Sequence, residues 1–250
     1  MFFKNLKSSQ KPTPTEENHS ELEAGRTLTI NNPHLLKAAI GRETLVACGA
    51  PRGMTSLISF TLFELGYFIG SELQEHNFED QEFSKAIPPK SRFKGKLISR
   101  PAFRNLVKQR NAEHERWGFK LPGAANYLPE LNTTLRNPVF VLCIRNPLAI
   151  MRSIARRNSA YAGGTPGYYR NGLGWLDAMG FLMSTDSIPS LMIDMDEVRR
   201  SPATFLTEFT SALRLGEVPD GLLERISRQG YKASKAQPNV TFVGPRNKRG

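Results

Sequence analysis

Three short apolar runs, TLVACG at 44–49, PVFVLCI at 138–144 and SLMIDM at 190–195, constrain the architecture more than any other feature. Each is rich in Val, Ile, Leu or Met, and each leads through a polar turn into a stretch of helical periodicity. A strand with one wet face alternates apolar with polar, whereas a strand apolar throughout has both faces covered, as in a parallel sheet. YFI at 67–69 and WGFKL at 117–121 are weaker candidates for the same sheet. Helices are expected over 55–65, ended by Gly66, and over 100–112, with Pro101 in the first turn. Others are expected over 123–135, 147–158, 172–184, 201–214 and 219–228. Strand and helix thus alternate, which implies an α/β fold: an open, mainly parallel sheet flanked by helices on both faces, with ligands beyond the carboxyl ends of its strands.

A chain of 250 residues, 39% hydrophobic, is long enough for one such unit. Residues 1–25 are polar, contain Pro12 and Pro14 and lack periodicity, so they read as a disordered tail ahead of a single domain at 26–250. No apolar stretch approaches the ~20 residues of a membrane span. The opening segment MFFKNLKSSQKPTPTEENHS is too short in apolar residues for a signal peptide, so cytoplasmic residence is expected. Cys48 and Cys143 sit inside apolar runs and read as free thiols.

The net charge of +11 is uneven. Residues 90–120 hold ten Lys/Arg against two Glu, 136–158 five Arg and no acid, and 225–250 seven cations and no acid. Localised positive charge steers anionic partners: nucleotides, acidic glycans, nucleic acid or a membrane surface.

The turn after the first run, ACGAPRGMTSLIS at 47–59, has the build of an anion cradle. The strand ends at Gly49, APRGM turns the chain, and a helix begins at Thr55 and Ser56, where free N–H groups and the positive helix end converge. Pro51, Arg52, Gly53, Met54, Thr55 and Ser56 are the candidate contacts. Measured against the ATP-binding pattern G-x-x-x-x-G-K-[ST], Met54 stands where the second Gly should be and Thr55 replaces the Lys. The second run leads into RNPLAIMRS at 145–153, where Arg145 at the strand end and Ser153 two helical turns along can grip a terminal phosphate. Two such turns at one edge of a P-loop-like sheet imply a ligand with two anionic ends.

GAPRGMTS resembles the 5′-phosphosulfate loop of sulfotransferases, whose carbohydrate-type and bacterial members carry P-R-S-G-T-[ST] or K-x-G-T. RNPLAIMRS is similar to their 3′-phosphate motif. HNFEDQEF at 76–83, WGFKLPG at 117–123 and the segment 191–215 resemble bacterial members in order and spacing. The resemblance implies transfer of a sulfuryl group from 3′-phosphoadenosine-5′-phosphosulfate (PAPS), leaving 3′-phosphoadenosine-5′-phosphate (PAP), to an acceptor hydroxyl of a glycan or small molecule, with no metal. Carried over by position, Arg52, Gly53, Thr55 and Ser56 hold the 5′ side, with Arg52 stabilising charge on the leaving phosphate, and Arg145 and Ser153 hold the 3′-phosphate. Gly53 and Met54 depart from the family's Ser-Gly.

An acceptor hydroxyl needs a general base within reach of its proton. Among Glu72, Glu75, His76, Glu79, Asp80 and Glu82, Glu79 aligns with bacterial relatives and is the first choice, His76 the second. SAYAGGTPGYYRNGLGW at 159–175 reads as a mobile, aromatic acceptor cover. Lys120, at the end of a strand, faces either an acidic ligand or solvent. Two rivals stand beside this reading. A P-loop kinase using ATP and magnesium would draw its metal carboxylates from Asp194 and Asp196, and a non-catalytic protein would bind polyanions or nucleic acid through the basic segments.

Overall fold

The structure is a computed structural model that describes residues 21–157, 167, 173, 175–228 and 231–244. Its main sheet has six strands in the order β1-β2-β7-β6-β3-β5. Four of them, β3 (Thr44–Gly49), β5 (Trp117–Lys120), β6 (Pro138–Ile144) and β7 (Ser190–Asp194), are mutually parallel, with β3 paired to both β5 and β6 and β6 to β7. The three apolar runs therefore form adjacent strands, and all six residues of β3 are buried.

The sheet extends beyond the expected strands. β1 (Leu22–Ala24) and β2 (Leu28–Asn31) form a hairpin whose second strand runs antiparallel to β7. The stretch read as tail up to residue 25 thus supplies an edge strand. All three residues of β1 are exposed, so no apolar pattern marked it. The expected strand at Tyr67–Ile69 is not formed. Gly66 and Gly70, both at positive φ, bend the chain on either side of it, and Phe68 makes one backbone bond to Gly118 rather than a ladder.

Side-chain alternation divides the core. Leu45, Ala47, Val139, Val141, Cys143, Leu191 and Ile193 lie on one face. Against it pack α2 (Thr55–Glu64), α8 (Met195–Arg200), α9 (Pro202–Leu213) and α10 (Leu222–Ser227). Val46, Cys48, Phe119, Phe140, Leu142 and Met192 lie on the other. That face carries α3 (Gln81–Ala86), α4 (Pro101–Glu113), α5 (Leu128–Thr134) and α7 (Leu176–Met183). α1 (Pro33–Ala39) follows β2, and α6 (Pro147–Arg157) follows β6. The helix expected over 201–214 is α9, preceded by the short α8 and divided from it at Ser201 before Pro202. That expected over 123–135 splits into a 3-10 segment, Pro122–Tyr127, and α5. A separate parallel pair, β4 (Glu72–Gln74) with β8 (Thr241–Val243), ties the C-terminal segment beside α2.

Candidate functional site

The turn between β3 and α2 owes its shape to close backbone approach. A Cβ on Gly49, at φ 148°, would lie 2.7 Å from the carbonyl oxygen of Cys143 in the adjoining strand. Gly53 closes the turn by donating to the Ala50 carbonyl at 2.9 Å, and a Cβ there would meet the same oxygen at 2.7 Å. Arg52 and Met54, on either side of Gly53, sit in the left-handed region at φ 67° and 66°. That conformation costs an L-residue about 1–2 kcal/mol. Such strain persists where surrounding structure imposes it and gathers at ligand-binding loops. Met54 is the N-cap of α2 but contributes no side-chain cap, so the first turn of this ten-residue helix receives no side-chain acceptor there. Pro51 and Ser56 are half-buried, and Thr55 is buried.

The turn between β6 and α6 is built by its own side chain. Asn146 accepts from the N–H of Leu148 at 2.9 Å and Ala149 at 3.3 Å, capping α6 ahead of Pro147. Ile150 and Ile154, one helical turn apart, are buried against Ala50 of the first turn. This contact draws the two turns together. Arg52 Nε donates to Ser153 Oγ at 3.1 Å, and Arg145 Nη1 donates to the Arg52 carbonyl at 2.8 Å. The expected contacts Arg52, Arg145 and Ser153 thus form one linked group at the carboxyl edge of the sheet.

Arg145 keeps capacity for another partner. Its Nε is buried without a hydrogen bond, and the Asp196 carboxylate lies 3.9 Å away. Burial weighs most against its charge and lowers its pKa, while Asp196 supports it. Asp196 also accepts from the N–H of Asn146 at 2.6 Å. Asp194 caps α8 through the N–H groups of Asp196 and Glu197. The two carboxylates that a magnesium site would have used are therefore engaged in helix capping and loop pairing.

The acidic cluster at 72–82 separates into distinct roles. Asp80 is fully buried and caps α3. Glu82 pairs with Arg110 and Ser71, and Glu72 with Lys85 at 3.0 Å. Glu75 and His76 are exposed on the turn after β4. Glu79 points to the site: its Oε2 lies 3.3 Å from Nζ of Lys120. Lys120 ends β5 level with Ala47 of β3, on the sheet face that carries α2, and only 2% of it is exposed. Burial lowers its pKa, Glu79 opposes that shift, and Arg52 is near enough to add to it. Burial likewise pushes the Cys48 thiol up to about 12 and Cys143 higher still, so both stay protonated.

Sequence reasoning did not assign Asp196 to Arg145, nor place Tyr231 beside it. Tyr231 stacks on Phe60 of α2 with centroids 5.0 Å apart, and its hydroxyl feels Arg199 and Arg145. No local pattern could have revealed these contacts, which join segments more than thirty residues apart in the chain. Tyr161, Tyr168 and Tyr169 of the expected acceptor cover and the basic residues after Gly244 lie outside the described residues. Among the described residues no helix is long and apolar enough to cross a membrane.

Three solved structures to which the chain is similar are sulfotransferases. One is a sulfotransferase domain from the curacin biosynthetic pathway, at 14% identity and TM-score 0.47, covering 76% of this chain and 78% of that one. Another is the sulfotransferase domain of the Synechococcus PCC 7002 olefin synthase, at 14% identity and TM-score 0.44, with 79% and 80% covered. A third is a sulfotransferase from Mycobacterium tuberculosis H37Rv, at 14% identity and TM-score 0.41, with 78% and 73% covered. No family model and no curated protein matches the chain.

Proposed function

We propose that this chain is a cytoplasmic sulfotransferase that uses PAPS as donor and a hydroxylated acceptor, a carbohydrate among the candidates. The observation that carries the reading is the linkage of Arg52, Arg145 and Ser153 across two strand-to-helix turns. Cations from two strands converge there beside a helix N-terminus, an arrangement suited to a ligand anionic at both ends. The residues also fit such a donor in a second respect. Arg145 has a buried N–H donor without a hydrogen bond, and Gly49 and Gly53 keep backbone where any larger side chain would collide.

In this reading Gly53, Thr55 and Ser56, with the flanking Pro51 and Met54, surround the donor's 5′ end. Arg145 and Ser153 hold its 3′-phosphate. When bound, PAPS supplies an activated sulfuryl group on a good leaving phosphate. Arg52, already held by Ser153, is oriented to stabilise charge developing on that phosphate; preorganised donors of this kind are worth ~3 kcal/mol of barrier each. Glu79 takes the proton of the acceptor hydroxyl, and His76, exposed on the same turn, is the second candidate.

Thermal unfolding in the presence of PAP, PAPS, ATP with magnesium, and heparin tests the reading, because a ligand that binds only the native state raises the melting temperature by mass action. PAP and PAPS are expected to stabilise the chain and ATP-magnesium is not. Arg145→Ala and Ser153→Ala should each weaken PAP binding by about tenfold or more, the loss of one charge-assisted contact. Arg52→Ala should chiefly lower turnover, by about 100-fold. Stabilisation by ATP-magnesium without PAP would instead select the kinase, and a response to heparin alone the polyanion binder.

A further inference from the structure

Lys120 is the buried ionisable group that the donor site leaves unexplained. Its ammonium has three N–H donors, yet among the described residues its hydrogen-bond partner is Glu79 alone, at 3.3 Å. Arg52 places a like charge close by. Desolvation and a neighbouring cation both act against a charged ammonium, and a further anion would offset them.

A purely structural role for the pair is weakly supported. The turn carrying Glu79 is already fixed without Lys120. Asn77 accepts from the N–H of Glu79 at 2.8 Å and donates to Gln74, Gln74 N donates to the Glu79 carbonyl, and Asp80 caps the helix that follows. The Glu79 side chain is 20% exposed, so its carboxylate stays reachable from outside when it is released. While the ammonium holds Oε2, one of the lone pairs that could receive an acceptor's proton is occupied.

We infer that Lys120 exchanges partners: it holds Glu79 in the free chain and turns to the sulfonated end of the donor when the Arg52 turn is filled, which releases Glu79 as the base. The inference rests on the sulfotransferase reading and adds an order of events to it, with the base competent only after the donor is in place. Glu79, Arg52 and the Cys143 thiol, from the turn after β4, the turn after β3 and β6, are the titratable groups facing Lys120. Cys143 stays protonated, so Glu79 is the anion that the donor must displace.

Calorimetric affinities for PAPS and PAP, measured without acceptor, test the exchange independently of turnover. Glu79→Gln removes the competing carboxylate and is expected to tighten PAPS binding by about tenfold, leaving PAP within about twofold. Lys120→Met is expected to weaken PAPS by about tenfold against an unchanged PAP affinity. A structural staple would not produce tightening in one variant and weakening in the other. If PAP binds the unaltered chain and the ratio of PAPS to PAP affinity is the same in both variants, the exchange is wrong and the donor reading stands. Absence of binding by either nucleotide to the unaltered chain would overturn the donor reading and the exchange together. Should Lys120→Met fail to fold, Glu79→Gln at the more exposed partner decides alone.

Discussion

Position 54 shows how a single residue departs from what its backbone prefers. Met54 occupies a left-handed conformation at φ 66°, a region glycine enters freely and other residues enter under strain. Its side chain packs on the core face of α2, which offsets part of that strain. Replacing it by Gly should change stability by no more than about 1 kcal/mol, because relieved strain and lost packing oppose each other. Val, whose branched Cβ tolerates positive φ poorly, should destabilise by about 1–2 kcal/mol beyond that. Equal melting temperatures for Met54→Gly and Met54→Val would mean that the left-handed bend is not fixed at this residue. The Gly53-Met54 sequence was legible as a departure from the Ser-Gly of the sulfotransferase loops it resembles; that Met54 sits in a left-handed conformation was not, since side-chain type restricts φ without determining it.

At the scale of elements, the site depends on how closely β3 approaches β6. Gly49 lies opposite Cys143, and its missing side chain lets the two strand ends draw together beneath the turn. Gly49→Ala would put a Cβ 2.7 Å from a backbone oxygen at a positive φ, where no side chain rotation relieves the clash. The expected cost is about 2–4 kcal/mol of stability, read by denaturant unfolding, together with loss of PAP stabilisation. A variant unfolding like the parent would show that the turn has slack. β3, β6 and β7 were visible in the sequence to within a residue, because burial on both faces demands an unbroken apolar run. β1 was not visible, since an exposed edge strand is held by backbone bonds that any sequence can make.

The molecule as a whole buries an ionisable carboxyl, that of Asp80, next in the chain to Glu79. Asp80, fully buried, lies 3.9 Å from Arg110, and burial, opposed by the Phe83 N–H and Arg110, raises its carboxyl to about 7. An unfolded aspartate titrates near 3.9. Between those values the folded chain keeps a proton that the unfolded chain has lost, so Asp80's contribution is full below about pH 4, falls as pH rises, and levels off above about pH 7. Asp80→Asn, which can still cap α3, should abolish this slope. The melting temperature of the variant relative to the parent should therefore rise from pH 4 to pH 7, and a flat difference would remove Asp80 from the pH response.

The sequence by itself determined the parallel centre of the sheet, the two strand-to-helix turns at its edge and the candidacy of Arg52, Arg145, Ser153 and Glu79, because strand burial and helix starts are written in neighbouring residues. Only the tertiary structure decided which of six acidic or imidazole groups faces the site, that Arg145 answers to Asp196, and that Lys120 and Glu79 share a charge. Those pairings join segments up to fifty-one residues apart along the chain, and their energies depend on distance and desolvation, quantities that exist only once the sheet has brought its strand ends to one edge.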